Sequence, residues 1–251
     1  MVKGLYTAYS GLTVQQKRLD VVSNNLANAT TTGYKKEGLT TQSFKDVYGI
    51  KVKDETVGYI NQNIGTLNLG AKIGESFRSW DQGSFQNTGN TFDFGLFSIS
   101  FTNKAGETST LYTRDGSFQM NREGYLVTKD GDFVLGENGP IQLPTDFEKL
   151  TVEESGEIYA DGQYVDRFAL VDFENYDYVE AYGENLYRAV DGATQTDATA
   201  TVNQGYLEAS NINVVTEMVD MISIARDFES NQKIMNTIDE MLGKMVSISE
   251  I

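Results

Sequence analysis

The sequence predicts an α+β fold: two long helices at opposite ends of the chain, paired as a coiled coil, with a mainly antiparallel β domain inserted between them. Three observations carry this. Apolar residues recur at spacings of three and four near both ends of the chain, the mark of a one-sided helix. Neither proline nor glycine occurs between Asn211 and Leu242, so a long helix can run there unbroken. In between, aromatic and β-branched runs are cut by glycine-containing turns at roughly the 8 to 12 residue beat of an all-β domain.

The first helix is read from Leu5, Ala8, Leu12, Leu19, Val22 and Leu26, which fall on one face. Gln15 and Gln16 interrupt the stripe, while Lys17, Arg18 and Asp20 occupy the other side. Asn28 and Gly33 supply the turn formers that end it, giving ~24 residues and ~36 Å of helix. Asn24 and Asn25 lie inside this helix, where their amides compete with the backbone. Such residues are expected to make a polar contact between helices that fixes register.

At the other end, Val214, Met218, Met221, Ala225, Phe228, Met235, Ile238, Leu242 and Met245 keep helical spacing, with a phase slip near Gln232. About 32 residues here span ~48 Å, several times the globular mean of ~11 to 12 residues. A helix of this length needs a partner for its apolar stripe, and the N-terminal stripe is the other long one. The methionines read as packing within that seam.

The middle is clearest between Tyr112 and Leu135, where turns at Asp115-Gly116, residues 121–124 and Asp130-Gly131 separate alternating stretches. This predicts a meander of antiparallel hairpins, in a β domain spanning 76–184. Residues 34–75, with Gly38, Gly49, Gly58, Gly65, Gly70 and Gly74, read as an extended connector whose return partner is 185–205. Residues 1–33 and 206–251 then form the terminal helical domain.

Composition excludes much chemistry. The 251 residues contain no cysteine and no histidine, which removes disulfides, thiolate zinc sites and imidazole-based catalysis. No catalytic, metal or cofactor residues are expected, and the carboxylates read as an acidic surface. Residues 1–60 hold eight Lys/Arg and five Asp/Glu, net +3, leaving 12 − 31 = −19 for the rest. A net charge of −16 repels phosphate backbones, so nucleic acid is not an expected partner, and no small-molecule substrate is indicated. Lys35, Lys36, Lys45, Lys51 and Lys53 read as a solvated face or as a contact to acidic surface on a neighbouring copy. No signal-peptide core and no bilayer-length apolar run is present in the sequence.

Four segments carry a family resemblance. Residues 24–36, NNLANATTTGYKK, resemble the N-terminal signature of flagellar rod and hook proteins. Residues 82–93, QGSFQNTGNTFD, and 112–118, YTRDGSF, resemble the start and the central hairpin of the rod proteins' β domain. Residues 204–218, QGYLEASNINVVTEM, resemble the entry to the rod proteins' C-terminal helix. Four colinear matches cover nearly the whole chain.

The resemblance implies a structural subunit of the flagellar basal body that is not an enzyme. Such subunits polymerise helically with copies of themselves and with neighbouring rod and hook axial proteins. The resemblance also implies passage through the flagellar export apparatus without a cleaved signal. Assembly contacts are then expected at Leu5, Leu12, Leu19, Val22, Asn24, Asn25 and Leu26, and at Val214, Met218, Met221, Ala225, Phe228, Met235 and Leu242. Two departures stand out: FGLFSISF (94–101) carries one glycine where rod proteins have a glycine-rich segment, and Asp227 stands where a small residue is usual. They leave open a distal or a proximal rod paralogue, with a hook or hook-junction protein as the nearer alternative and a secreted carbohydrate-binding or carbohydrate-active β protein using carboxylate chemistry as the distant one.

Overall fold

The computed structural model describes residues 2–51, 62–95, 99–102, 110–183, 185–197 and 201–249. The readings of Lys53, Gly58 and the middle of FGLFSISF lie outside these residues. The chain divides into two compact units. Unit 1 comprises Met1–Ala27, Glu37–Arg78 and Asn213–Ile251, and unit 2 comprises Asn28–Lys36 and Ser79–Ile212.

In unit 1, helix α1 runs over Val2–Ala27 and helix α2 over Val214–Ser249, 26 and 36 residues. At 1.5 Å per residue these are ~39 and ~54 Å long, somewhat beyond the sequence-based lengths. Asn213 opens α2 as its cap: its side-chain oxygen accepts from Thr216 N at 3.2 Å. Between the helices in sequence lies an antiparallel arm. Strand β1 (Glu37–Ser43) is followed by β2 (Val47–Lys51), β3 (Gln62–Leu67) and β4 (Ala71–Arg78), with β1 paired to β4 and β2 to β3. Asn68 carries the ribbon across the break, its amide donating to Phe44 O at 2.7 Å while its oxygen accepts from Gly70 N at 3.0 Å. Within the segment expected to be an extended connector, the described strands therefore pair with one another, β1 with β4 and β2 with β3. The base of the arm packs on α1, where Thr7 Oγ1 donates to Leu69 O at 3.0 Å and Ser10 is buried.

Unit 2 opens with β5 (Phe85–Asn87), β6 (Phe94–Gly95), β7 (Ile99–Thr102) and β8 (Thr110–Thr113). Then follow β9 (Gln119–Met120), β10 (Leu126–Val127), β11 (Phe133–Gly136) and β12 (Gly139–Pro140). Next come β13 (Leu150–Val152), β14 (Glu157–Ala160), β15 (Gln163–Arg167) and β16 (Val171–Phe173). The unit closes with β17 (Val179–Gly183), β18 (Leu186–Ala189), β19 (Gln195–Asp197), β20 (Asn203–Gln204) and β21 (Tyr206–Glu208). All pairings are antiparallel, and the largest sheet has the order β17-β18-β8-β7-β11-β10-β9.

The meander expected over residues 112–135 forms only in its second half. Chains β9, β10 and β11 pair in succession, and Asn121 shapes the first turn by accepting from Glu123 N and Tyr125 N at 2.9 and 2.8 Å. The hairpin expected at Asp115-Gly116 does not form. Strand β8 pairs with β7 and β18 instead, and the Asp115 carboxylate folds back to accept from Ser117 N at 3.0 Å. The Gly116 and Phe92 carbonyls receive Phe94 N and Phe118 N at 3.0 and 3.2 Å, tying this loop to the segment before β6. Within the expected return segment, β18 (Leu186–Ala189) pairs with β17 and β8, and β19 (Gln195–Asp197) pairs with β16.

The core of unit 2 gathers Phe94, Phe118, Leu126, Val134, Ile141, Ile158, Phe168 and Val202 among others. Val202 belongs to the last stretch before α2, so the end of the unit is part of its centre.

Candidate assembly interface

Helices α1 and α2 pack together in antiparallel register. A side chain on Gly4 would meet Ile238, one on Gly11 would meet Asn231, Gln15 faces Asp227 and Asn25 faces Glu217. Each pair of residue numbers adds to 242, so the register holds over the whole contact. Gly11 marks a close approach: a Cβ there would sit 3.2 Å from Asn231 Nδ2, so the amide would have to give by a few tenths of an ångström.

On α1, Leu5, Leu12, Leu19 and Leu26 repeat every seven residues, with Ala8, Gln15 and Val22 between them, all buried or half-buried. On α2, Glu217, Met221, Ile224, Phe228, Asn231, Met235, Ile238 and Leu242 alternate in steps of four and three, again buried or half-buried. Apart from Ala225, every other residue from 218 to 242 is exposed. The expected phase slip near Gln232 is absent, because Asn231 keeps the row in step where an apolar residue was looked for. The seven-residue spacing is that of a heptad seam. The interruption of the α1 stripe has a counterpart as well, since Gln15 Nε2 donates to Asp227 Oδ2 at 3.4 Å.

The two asparagines divide. Asn25 is 1% exposed; its amide donates to Glu37 O at 2.8 Å and to Glu217 Oε2 at 3.3 Å, and its oxygen accepts from Glu37 N at 3.0 Å. One side chain therefore ties α1 to α2 and to the start of β1. Asn24 points to the exposed face. Val214 and Met218 also lie outside the inner row, at 41% and 51% exposure. They open an outer apolar row on α2 with Val215, Val219 and Ile222, these three 55–71% exposed. The inner-row residues Ile224 and Asn231 escaped sequence reasoning, because the reading began the stripe at Val214 and not at the charged Glu217.

Unit 2 contains a second feature, a buried knot formed by its own chain ends. Lys35 Nζ donates to Glu208 Oε1 at 2.7 Å and to Asp81 O at 2.8 Å, both charged side chains being 1% exposed. Gly83 N donates to the same carboxylate oxygen at 2.7 Å. Gly33 N donates to Glu208 O at 2.8 Å, and Asn185 caps the loop by donating to Thr32 O at 2.8 Å. The Asn211 side chain accepts from Lys36 N at 2.8 Å and donates to Ser79 O at 3.0 Å. Gly33 has φ +67°, and a Cβ would fall 2.5 Å from the Arg114 carbonyl, so only glycine fits this wedge.

Burial pushes the Lys35 ammonium below the ordinary lysine value, the hydrogen bond it donates to Glu208 opposes this, and the nearby Arg114 guanidinium adds to the lowering. Arg114 is itself buried, lies over the Trp80 and Tyr176 rings at 5.7 and 6.0 Å, and donates to Tyr176 OH at 3.3 Å. Tyr176 OH in turn donates to Asp172, and burial followed by that bond raises the phenol. Lys35 is neither solvated nor directed at another copy, which corrects the reading of it as part of a surface lysine face. No pattern in the sequence marks a single lysine as buried; what pointed to it is its place within a recognised motif.

Fold and interface define a class: a structural protein whose two chain ends build one paired-helix element, with a β body inserted between them. Family models place it further. One described as "Flagella basal body rod protein" matches residues 5–35, one described as "Flagellar hook protein FlgE/F/G D1 domain" matches 95–160, and one described as "Flagellar basal body rod FlgEFG protein C-terminal" matches 203–248. Flagellar basal-body rod protein FlgG of Bacillus subtilis is 33% identical over 99% of both chains. FlgG of Agrobacterium fabrum is 31% identical over 96% of this chain and 97% of its own, and flagellar basal-body rod protein FlgF of Caulobacter vibrioides is 32% identical over 96% and 95%. The chain belongs to the flagellar basal-body rod protein family, and it is a structural subunit of the rod in the flagellar basal body.

Proposed function

We propose that this subunit polymerises helically into a hollow axial shaft, with α1 and α2 forming the coiled coil of the polymer core. The observation that carries this is the outer row on α2. Val215, Met218, Val219 and Ile222 crowd eight residues with side chains 51–71% exposed, on the face turned away from α1. Such a row is stabilised by burial against another molecule. A second copy fits it by charge, since α1 carries 3 − 1 = +2 and α2 carries 3 − 6 = −3. One helix type placed beside the other on a neighbour makes a contact between unlike faces, and such contacts build open helical polymers where the rotation does not close into a ring. Neighbouring rod and hook proteins continue the shaft, and the subunit reaches it through the flagellar export apparatus.

The test is assembly of purified subunit followed by sedimentation and electron microscopy. Met218→Asp with Ile222→Asp should abolish polymer while leaving the monomer's circular dichroism unchanged, because both side chains are exposed in the single chain. Normal polymerisation of that variant would refute the reading.

A further inference from the structure

The knot in unit 2 joins the first and last segments of that unit, and its chemistry makes each depend on the other. Residues 28–36 and 201–212 lie about 170 positions apart, counted from Lys35 to Glu208. The last segment is built into the body: β21 pairs with β5, β20 pairs with β6, Val202 is core, and the Gln204 side chain accepts from Val152 N at 3.1 Å while donating to Thr91 O at 3.0 Å. Three bonds join the first segment to the last, Gly33 N on Glu208 O, Lys36 N on Asn211 and Lys35 on Glu208, while Asn185 on Thr32 O, Ser79 N on Lys36 O and Lys35 on Asp81 O hold it to the rest of the unit.

An ammonium sealed from water without its carboxylate is strongly disfavoured, and so is the carboxylate without the ammonium. If residues 28–36 docked alone, Lys35 would be buried with only the Asp81 carbonyl as acceptor. If residues 203–212 docked alone, Glu208 would be buried with only the Gly83 N–H as donor. We infer that Lys35 and Glu208 form a completion latch: unit 2 closes only when its first and last segments arrive together, and an incomplete chain keeps both open.

The latch stands on the geometry of unit 2. Its consequence for assembly rests on the export reading above: whichever end of the subunit emerges first, the body stays open until the other end is out.

Hydrogen exchange on the full chain separates the possibilities. The readouts are Gly33 N, Gly83 N and Ala209 N, the last bonded to Ser84 O at 2.9 Å, with β14 amides as the internal reference for the core. Lys35→Met and Glu208→Gln each leave one buried charge. Each should speed exchange at all three amides together, by roughly a hundredfold or more. The double variant buries no charge and keeps an acceptor for Gly83 N, so its exchange should fall back at least tenfold toward that of the unaltered protein. Loss of protection confined to Gly33 in Lys35→Met would overturn the latch. So would a double variant that exchanges as fast as the worse single one. Should a single variant lose the core as well, the recovery of the double still decides. Because these measurements need no polymer, their failure is distinct from a failure of the assembly reading.

Discussion

Asn25 and Asn24 are adjacent, identical in type and opposite in situation, which makes them a controlled pair for the α1–α2–β1 junction. Asn25→Ala removes two hydrogen bonds to the Glu37 backbone, at 2.8 and 3.0 Å, and one to the Glu217 carboxylate at 3.3 Å. Each backbone bond contributes about 1 kcal/mol, and the bond to a charged acceptor about 1.5 kcal/mol or more. Alanine returns about 0.5 kcal/mol as the better helix former. The net loss for unit 1 is then roughly 2 to 4 kcal/mol, enough to lower its folding constant by a factor of thirty or more at about 1.4 kcal/mol per tenfold. Asn24→Ala, at an exposed position of the same helix turn, should lower the midpoint less than Asn25→Ala does. The assay is urea unfolding followed by helical circular dichroism, with an unchanged slope required so that the midpoint reports stability. Equal midpoints for the two variants would show that Asn25 does not hold the junction.

Three further outcomes are expected. Leu12→Ala, at a buried position of the inner row, should destabilise unit 1 by roughly 2 to 5 kcal/mol, whereas Met241→Ala on the exposed side should change the urea midpoint little. In alkaline ultraviolet difference titration, Tyr159 should ionise late, at about 12, because its hydroxyl donates to Glu157 at 2.7 Å; Glu157→Gln should bring it down toward the ordinary value, and no change would dismiss the bond. Tyr176 is likewise raised, by burial first and by Asp172 next, so its contribution to unit 2 is complete below the unfolded value near 10 and fades as pH climbs through the folded value. Alkaline unfolding of Tyr176→Phe that lacks this fading is the check.

The terminal helices were legible because a period of three and four residues is written directly in side-chain polarity. The fault lay in phase, not in existence. Glu217 begins the inner row and Asn231 continues it, and both are polar, so a hydrophobic reading slid onto Val214 and Met218, which the fold leaves outside. The arm was illegible for a different reason. Strands β1 and β4 pair through exposed and half-buried side chains, so no clear alternation marks them, and register shifts at Leu39/Thr41 and Gly49/Ile50 blur the pattern further. Asp115-Gly116 misled because a hairpin signal reports only that the chain can turn. Whether the flanking strands pair is decided by competitors, and β18, about seventy residues away, took the edge of β8.

The four segments that carried the resemblance turn out to meet one another. Residues 24–36 touch 204–218 through Asn25 with Glu217 and through Lys35 with Glu208. Residues 82–93 touch 204–218 through Gly83 with Glu208, and touch 112–118 through Phe92 with Phe118 and the Asp93 bridge to Ser117. Residues 112–118 close the circuit by presenting the Arg114 backbone to Gly33. At such places a residue must satisfy several distant stretches at once: the buried Lys35 ammonium must reach both Glu208 and the Asp81 carbonyl, and the 2.5 Å wedge beside Arg114 admits only glycine at Gly33. In the arm, β2 and β3 pair with each other, so what a residue must satisfy there lies within one short stretch of chain. A motif that looks like a local word in the sequence is, in this fold, the visible part of a long-range agreement. That is why a one-dimensional reading recognised these segments while being unable to say what Lys35, Glu208 or Asn211 does.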